Sequence, residues 1–448
     1  MKLLSPNDIK FHPTSFCDGH GRLFFSGGEL YRGIPEKRAQ FTRDLFARAV
    51  VEELEAKRFI PRTELTEDSL GGYPIVLHHE RIPFVSYAFE WSPGMLRDAA
   101  LFDLRYLRLL ARHQLSLAGV AAWNILFVGS EPRAVDFCDI TAAPEDQEAH
   151  WGVLDAQFRS YYLRPLELMA RGQGNLARFL QTDYEHGPIQ NEFEAATAVP
   201  MTNTWRRGAH AIRRRTRALD GSRKRQIGEP ESYFAKKLDE TEKRFAGFHF
   251  PIKRMANNAS PQVRERLEND SSKSVLVIGG SDNTIAQCRR NGAAVVAIDR
   301  DPERVDAIYE WTRAERANVL PLVVDLRYPA PGYGVQNTVL APALSRLRCD
   351  LVVSLGLIES LVFRQRLRFE QIAGTLGQLT VRRLLIDFPS ARNPEVVAHL
   401  RDPYFSWFGL DRFVHSLQHH FASVRVEPPA DDAATVLICE KASDEKGS

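Results

Sequence analysis

Four residues stand at intervals that suit nucleoside chemistry. The apolar run Ser274–Ile278 ends in Gly279-Gly280-Ser281, a helix-compatible stretch Thr284–Arg290 follows, and a second apolar run, Ala293–Ile298, ends at Asp299, 20 residues past Gly279. A glycine turn after a strand lets a ligand approach bare backbone, and an acid closing the next strand accepts hydrogen bonds from the two hydroxyls of a ribose. A third run, Leu320–Val324, delivers Asp325 to the place of an adenine amino group, and a fourth, Asp350–Leu355, leads into Glu359. A carboxylate raised in pKa by burial is adequate as a general base. Glu359 is therefore either the group that holds an acceptor's proton or an inert polar loop residue. Asp299 has a second role open to it, as a helix cap in Asp-Arg-Asp-Pro, and the two roles are compatible.

The elements that position these residues alternate strand and helix from about residue 266 to 442. A fifth run, Arg383–Phe388, is followed by Ser423–Glu427 and Ala434–Glu440, which suit a closing antiparallel pair. Strand, glycine turn, helix, strand, acid is the Rossmann order. The turn lacks the full G-x-G-x-x-G that seats a pyrophosphate. This favours S-adenosylmethionine (SAM), which has none, over a dinucleotide, and a methyltransferase over a dehydrogenase.

Upstream, Arg22–Phe25 and Glu29–Arg32 flank Gly27-Gly28 as a tight hairpin. A helix is expected from Lys37 to Lys57, strands at Tyr73–His79 and Arg81–Ala88, and a helix over Gly94–Gln114. A second hairpin follows from Asn124–Val128 and Arg133–Phe137, and the chain is then mostly helical to about residue 200. Glycine-bounded strands, a helix and a hairpin bearing Asn124 and Asp136 suggest a small kinase-like fold, with Asn124 and Asp136 on its metal-binding positions. The position of the catalytic aspartate is Gly119, and Arg32 replaces the phosphate lysine, so phosphotransfer is not expected. Asn124 and Asp136 then either hold a metal–nucleotide complex or, the favoured reading, bridge loops and satisfy backbone amides.

The stretch VLVIGGSDNTIA, GAAVVAIDRDPERVDAIY, VLPLVVDLRYPAPGYG, CDLVVSLGLIESL and LLIDFP resembles the class I SAM methyltransferases. It resembles especially the nodulation-protein-like branch, which carries a kinase-like domain in front. LHHERIPFVSYAFEWSPGMLRDAALFDL is similar to the same family's first domain. The resemblance implies SAM held by Gly279, Gly280, Ser281, Asp299, Arg300, Asp325, Leu326 and Leu355, with Glu359 and Asp387 facing the acceptor. Val277 stands where the family has an acid, Ser281 and Asn283 replace glycine-tract residues, and Glu359-Ser360 replaces a His-His pair.

Composition bounds the rest. The 448 residues, 44% hydrophobic and 26% charged, suit a globular chain of two or three domains, and a net charge of +2 excludes a global field for nucleic acid or membrane. Cys17, Cys138, Cys288, Cys349 and Cys439 form no CxxC pair, arguing for a reducing cytoplasm. No apolar run approaches the roughly 20 residues of a membrane span. His415 and His419 lack the glutamate of an H-E-x-x-H site, and no metal site is expected. A basic run at 205–225 reads as a solvated linker, and a nucleic-acid acceptor is disfavoured because no N/D-P-P-Y motif follows the fourth strand.

The expected fold is therefore an α/β Rossmann-like methyltransferase domain with a seven-stranded sheet over 266–442, behind an α+β kinase-like domain over 1–200. A basic helical linker spans 201–265 and a disordered tail 443–448. The expected activity is SAM-dependent methyl transfer to a small-molecule, sugar or glycan acceptor, with the front domain as a scaffold or recognition module. The rival reading is a non-catalytic partner subunit built from two degenerate enzyme folds. Homo-oligomerisation or a protein partner is compatible with either.

Overall fold

The computed structural model describes residues 2–15, 19–182, 229–253, 261–280, 282–290, 292–427 and 434–442. Ser281, Cys17, the basic run at 205–225 and the tail at 443–448 lie outside them.

The C-terminal half is built on seven strands. In spatial order they are Val319–Val323, Ala294–Asp299, Ser274–Ile278, Cys349–Ser354, Thr380–Phe388, Thr435–Glu440 and Ser423–Glu427. The first five are parallel, and Thr435–Glu440 runs antiparallel between its two neighbours. Numbered along the chain the order is 3-2-1-4-5-7-6, a Rossmann-like sheet whose direction of winding reverses between the first and fourth strands. The parallel strands are rich in Val, Ile and Leu because both faces are covered. Leu276, Ile278, Val296, Ile298 and Val352 pack into one core, while Val275, Val277, Val295, Ala297 and Val353 pack into another on the opposite face.

The N-terminal half carries an antiparallel five-stranded sheet in the order Lys10–Phe11, Arg22–Ser26, Glu29–Ile34, Ile75–His79, Thr63–Leu65. Its hairpin turns at Gly27 and Gly28 with φ of 58° and 88°, the two positive angles that a tight turn of this hand requires. The helix Pro93–Arg112 is capped by Ser92, whose hydroxyl accepts from Met95 N, and buries most of its length. Ile125–Val128 and Glu131–Ala134 form the second expected hairpin.

Three expectations differ from the structure. The helix placed at Lys37–Lys57 is two helices, Glu36–Ala47 and Val50–Ala56. Ala49 between them takes φ 54°, which turns Val50, Val51 and Leu54 into the core. No strand forms over Arg81–Ala88. Pro83 has no N–H to give a ladder, and the polar groups at Val85 O and Tyr87 Oη bind Arg346 and Ala341 of the C-terminal half instead. Finally, the segment expected as linker contains the helix Pro230–Ala246, which lies along Pro93–Arg112 rather than in solvent. Trp151 stacks on Tyr233 with ring centroids 4.3 Å apart, and Arg105, Arg112 and Arg244 pair with Glu242, Glu231 and Glu167. No helix of the described residues is long and apolar enough to cross a membrane.

The two halves meet through the helix Pro302–Glu315, which follows Asp299. Asp306, 4% exposed, accepts from Ser92 Oγ and from Gly94 N at 2.8 Å, so an acid of one half sits on the N-terminus of the other half's longest helix. Tyr309 donates to Asp98 at 2.9 Å. A Cβ at Gly94 would lie 2.7 Å from Asp306 Oδ1, which explains glycine there. Arg346 pairs with Glu90, both side chains nearly fully buried, and lies over the Tyr87 ring.

Candidate functional site

The crevice at the switch point lies at the C-terminal ends of Ser274–Ile278 and Cys349–Ser354, where ligands of open α/β sheets bind. Gly279 leaves its strand with φ 65°, and its N–H donates to Ile298 O at 2.9 Å, tying the turn to the strand that ends in Asp299. A Cβ on Gly279 would lie 2.7 Å from Leu357 Cδ2, and one on Gly280 would lie 2.4 Å from Val277 Cγ1. Val277 thus packs directly beneath the turn, an apolar footing where the similar family has an acid.

Asp299 is mostly buried and held from two sides. Its Oδ1 accepts from Asp301 N at 2.8 Å, and its Oδ2 lies 3.3 Å from Arg304 Nη1. Burial pushes its pKa up, against the opposing pull of the Asp301 amide and Arg304. The cap of the helix Pro302–Glu315 is Asp301, which accepts from Glu303 N, so the capping role falls two residues past Asp299. Arg304 does more than pair with this acid. Its Nη2 also donates to Gly279 O at 3.1 Å and Gly280 O at 3.2 Å. One guanidinium therefore joins the glycine turn to the acid, a contact absent from the sequence reading. The available signal was Pro302, whose fixed φ starts a helix there and puts Arg304 in its first turn, over the strand ends.

Asp325 follows the strand Val319–Val323, half-buried, and accepts from Arg327 N at 2.9 Å. Leu326 packs against the larger core, Leu355 against the core of the opposite face, and Arg300 is exposed. The expected binding residues therefore divide. Gly279, Gly280 and Asp299 are brought together by Arg304, whereas Leu326 and Leu355 are separated by the sheet.

On the other side of the crevice, Asp387 Oδ1 accepts from Gly356 N at 2.8 Å, and Glu359 Oε1 accepts from Asn393 Nδ2 at 2.8 Å. Burial raises the Asp387 pKa to about 6, with the neighbouring Glu359 carboxylate adding to the rise. Burial also raises Glu359, with Glu395 reinforcing it. Two carboxylates in one electrostatic neighbourhood, both biased towards the proton-holding form, can accept or deliver a proton near neutrality. Asn393 caps the helix Pro394–His399 through its Oδ1 and orients Glu359 through its Nδ2, so the helix start fixes the carboxylate. At the end of the fourth strand, Ser354 Oγ is buried without a hydrogen-bond partner. Buried hydroxyls are normally paired, and one left free beside a glycine turn fits a crevice that takes a polar ligand.

In the N-terminal half, Asp136 accepts from Arg32 at 3.0 Å and from Cys138 N at 3.1 Å, and Asn124 donates to Asp139. Burial and the nearby Asp136 carboxylate raise the Asp139 pKa. Gln157 accepts from Val120 N at 2.9 Å and stands where a Cβ at Gly119 would meet it at 3.3 Å. Asn124 and Asp136 are thus engaged with protein groups. Trp91, 0% exposed, donates to Ser86 Oγ. Among the described residues no group of three or more His, Cys, Asp or Glu is placed to hold a metal.

No family model matches the chain. The chain is 22% identical over 444 residues to nodulation protein NoeA of Rhizobium meliloti (strain 1021), covering 90% of each. Among solved structures, the bifunctional kinase-methyltransferase WbdD superposes with a TM-score of 0.28 at 13% identity, covering 40% of this chain and 36% of that one. TehB from Haemophilus influenzae gives 0.31 at 13% identity, covering 42% of this chain and 64% of the other. The resemblance to the nodulation-protein-like family therefore extends along nine tenths of the sequence, at 22% identity to NoeA.

Proposed function

We propose that the chain is a SAM-dependent methyltransferase acting on a small-molecule, sugar or glycan acceptor, with a non-catalytic kinase-like front half as scaffold or acceptor-recognition module. One observation carries this reading. The positive-φ glycine turn and Asp299 converge at the switch point of a 3-2-1-4-5-7-6 sheet.

SAM, when bound, supplies an electrophilic methyl group on a sulfonium. The protein's own residues would do the rest. The Gly279-Gly280 turn would admit the amino-acid end, Asp299 would accept hydrogen bonds from the ribose hydroxyls, and Asp325 would serve the adenine side. Glu359 and Asp387 receive the proton released by an acceptor hydroxyl. Ionised Asp387 is favoured above about pH 6, so the pair suits work near neutrality.

A second reading, the non-catalytic partner subunit, is favoured by Arg304. Its guanidinium already occupies Asp299 and both glycine carbonyls, the acceptors a cofactor would use. Calorimetric titration with SAM separates the two, since the methyltransferase reading expects saturable heat and the partner-subunit reading none.

A further inference from the structure

A groove of about 1250 Å³ runs between the two halves, lined by none of the crevice residues. It exceeds the roughly 300–1,000 Å³ of a small-molecule pocket. Ala317 and Asn318 in its wall lead into Val319, the first residue of the third strand, so the groove opens at the N-terminal edge of the sheet. The crevice lies at the opposite edge, a strand of 5 residues or roughly 16 Å away.

Helix geometry makes the lining basic. Arg97, Leu101 and Arg105 recur every fourth residue on one face of Pro93–Arg112, and Arg313 and Arg316 come from the end of Pro302–Glu315. Lys57, Arg58 and Arg133 complete the wall around the hairpin Ile125–Val128/Glu131–Ala134. Seven cations thus stand against three acids, Asp98, Glu131 and Glu242, in a chain whose net charge is only +2.

The acids do not exhaust the cations. Glu131 is shared by Arg58 at 2.9 Å and Arg133 at 2.7 Å, Asp98 by Arg97 at 3.5 Å and Arg313 at 3.1 Å, and Glu242 meets Arg105 at 2.9 Å. A guanidinium has five N–H donors, so an arginine held by one carboxylate keeps donors for a ligand. Arg316, exposed just past its helix, makes no ion pair among the described residues. With Ala317 and Asn318 it also lines an adjoining cavity of about 470 Å³, whose wall adds Arg289 and Arg290 and no acid. The positive lining therefore continues from the N-terminal half across the junction onto the C-terminal half.

The lining also narrows the ligand. Its length and excess charge suit an extended polyanion rather than a single anionic group. Phe102 and Phe245 are 7% and 3% exposed, and Phe59 stacks on Tyr106 with ring centroids 5.3 Å apart, so these rings are taken up within the protein and leave no platform for a nucleobase. The interleaved carboxylates repel a chain that offers charge alone, such as polyphosphate, but they accept hydrogen bonds from hydroxyls. A ligand with both hydroxyls and anionic groups along its length matches both kinds of group.

We propose that this groove binds an acidic polysaccharide, whose carboxylate or sulfate groups meet the arginines while its hydroxyls donate to Asp98, Glu131 and Glu242. The site goes beyond the methyltransferase reading and does not depend on it, because its walls contain none of the crevice residues and its test needs no cofactor.

The test titrates the full chain calorimetrically with decagalacturonate and with a dextran sulfate of matched length. At least one should bind, and the tighter of the two identifies the anionic group. Fully methyl-esterified decagalacturonate, which keeps the chain and loses the charge, and monomeric galacturonate should bind at least about tenfold more weakly. Arg105→Glu combined with Arg316→Glu, both exposed positions, should weaken glycan binding by about tenfold or more. Arg43→Glu combined with Arg382→Glu, an equal change of charge at exposed positions outside the groove, should leave it within about twofold. No binding of either acidic glycan, equal affinity for the ester, tighter binding of polyphosphate, polyuridylate or polyglutamate, or the same loss in both double variants would overturn the proposal.

Discussion

Replacing Asp299 by Asn tests the cofactor crevice at its most exacting contact. The carboxylate has one oxygen on the Asp301 amide at 2.8 Å and the other 3.3 Å from Arg304. A ribose hydroxyl donating to an ionised acceptor contributes about 1.5–3 kcal/mol. Arg304 already neutralises part of the charge, which places the effect near the lower end, about 1.5 kcal/mol or roughly tenfold in affinity. Asn keeps an acceptor for Asp301 N but turns an N–H₂ towards the guanidinium, so the link between acid and glycine turn opens as well. The assay is calorimetric titration of S-adenosylhomocysteine into wild type and variant, with thermal melts to show that both are folded. Arg304→Met separates the two parts of that effect, because it opens the link to the glycine turn while leaving the Asp299 carboxylate in place, and should weaken binding less than Asp299→Asn. Burial raises the Asp299 pKa, so wild-type affinity should also fall on acidification, at a higher pH than for an ordinary aspartate. Unchanged affinity in Asp299→Asn would refute the assignment of this acid to the ribose.

Asp306→Ala should cost about 2–4 kcal/mol in denaturant unfolding, because Ser92 Oγ and Gly94 N lose a buried charged acceptor; a loss below about 1 kcal/mol would contradict a joint role of the two halves in stability. Asp103 is buried against the Tyr162 hydroxyl and its pKa rises to about 7. Its folded pKa exceeds the unfolded value, so its contribution is complete below about pH 4 and is lost as pH rises through 7, and Asp103→Asn should flatten a decline of up to about 1.4 kcal/mol per pH unit. If methyl transfer is measured, Asp387→Asn should remove an acid limb near pH 6 from the kcat/KM profile, and an identical profile would exclude Asp387 as proton acceptor. No phosphate transfer from ATP is expected, since Asp136 is paired with Arg32; turnover abolished by Asp136→Ala would reverse that view.

The sequence by itself determined the β/α alternation, both glycine-turned hairpins and the candidate acids. Those signals are local: apolar runs, glycines between them, and a carboxylate closing the second and third runs of the C-terminal half. The order in which the strands lie, with its switch point between the first and fourth, was decided only by the tertiary structure, because spacing along the chain does not specify neighbours across a sheet. Tertiary structure alone decided that Arg304 bridges Asp299 to the glycine carbonyls, that Leu326 and Leu355 fall on opposite faces, and that Pro230–Ala246 packs as part of the N-terminal half. It also decided that Asp306 caps a helix 212 residues away in the chain from its own position. Such contacts arise where distant segments pack together and charged groups leaving water must find whatever partner lies nearest, a condition that no window of sequence contains.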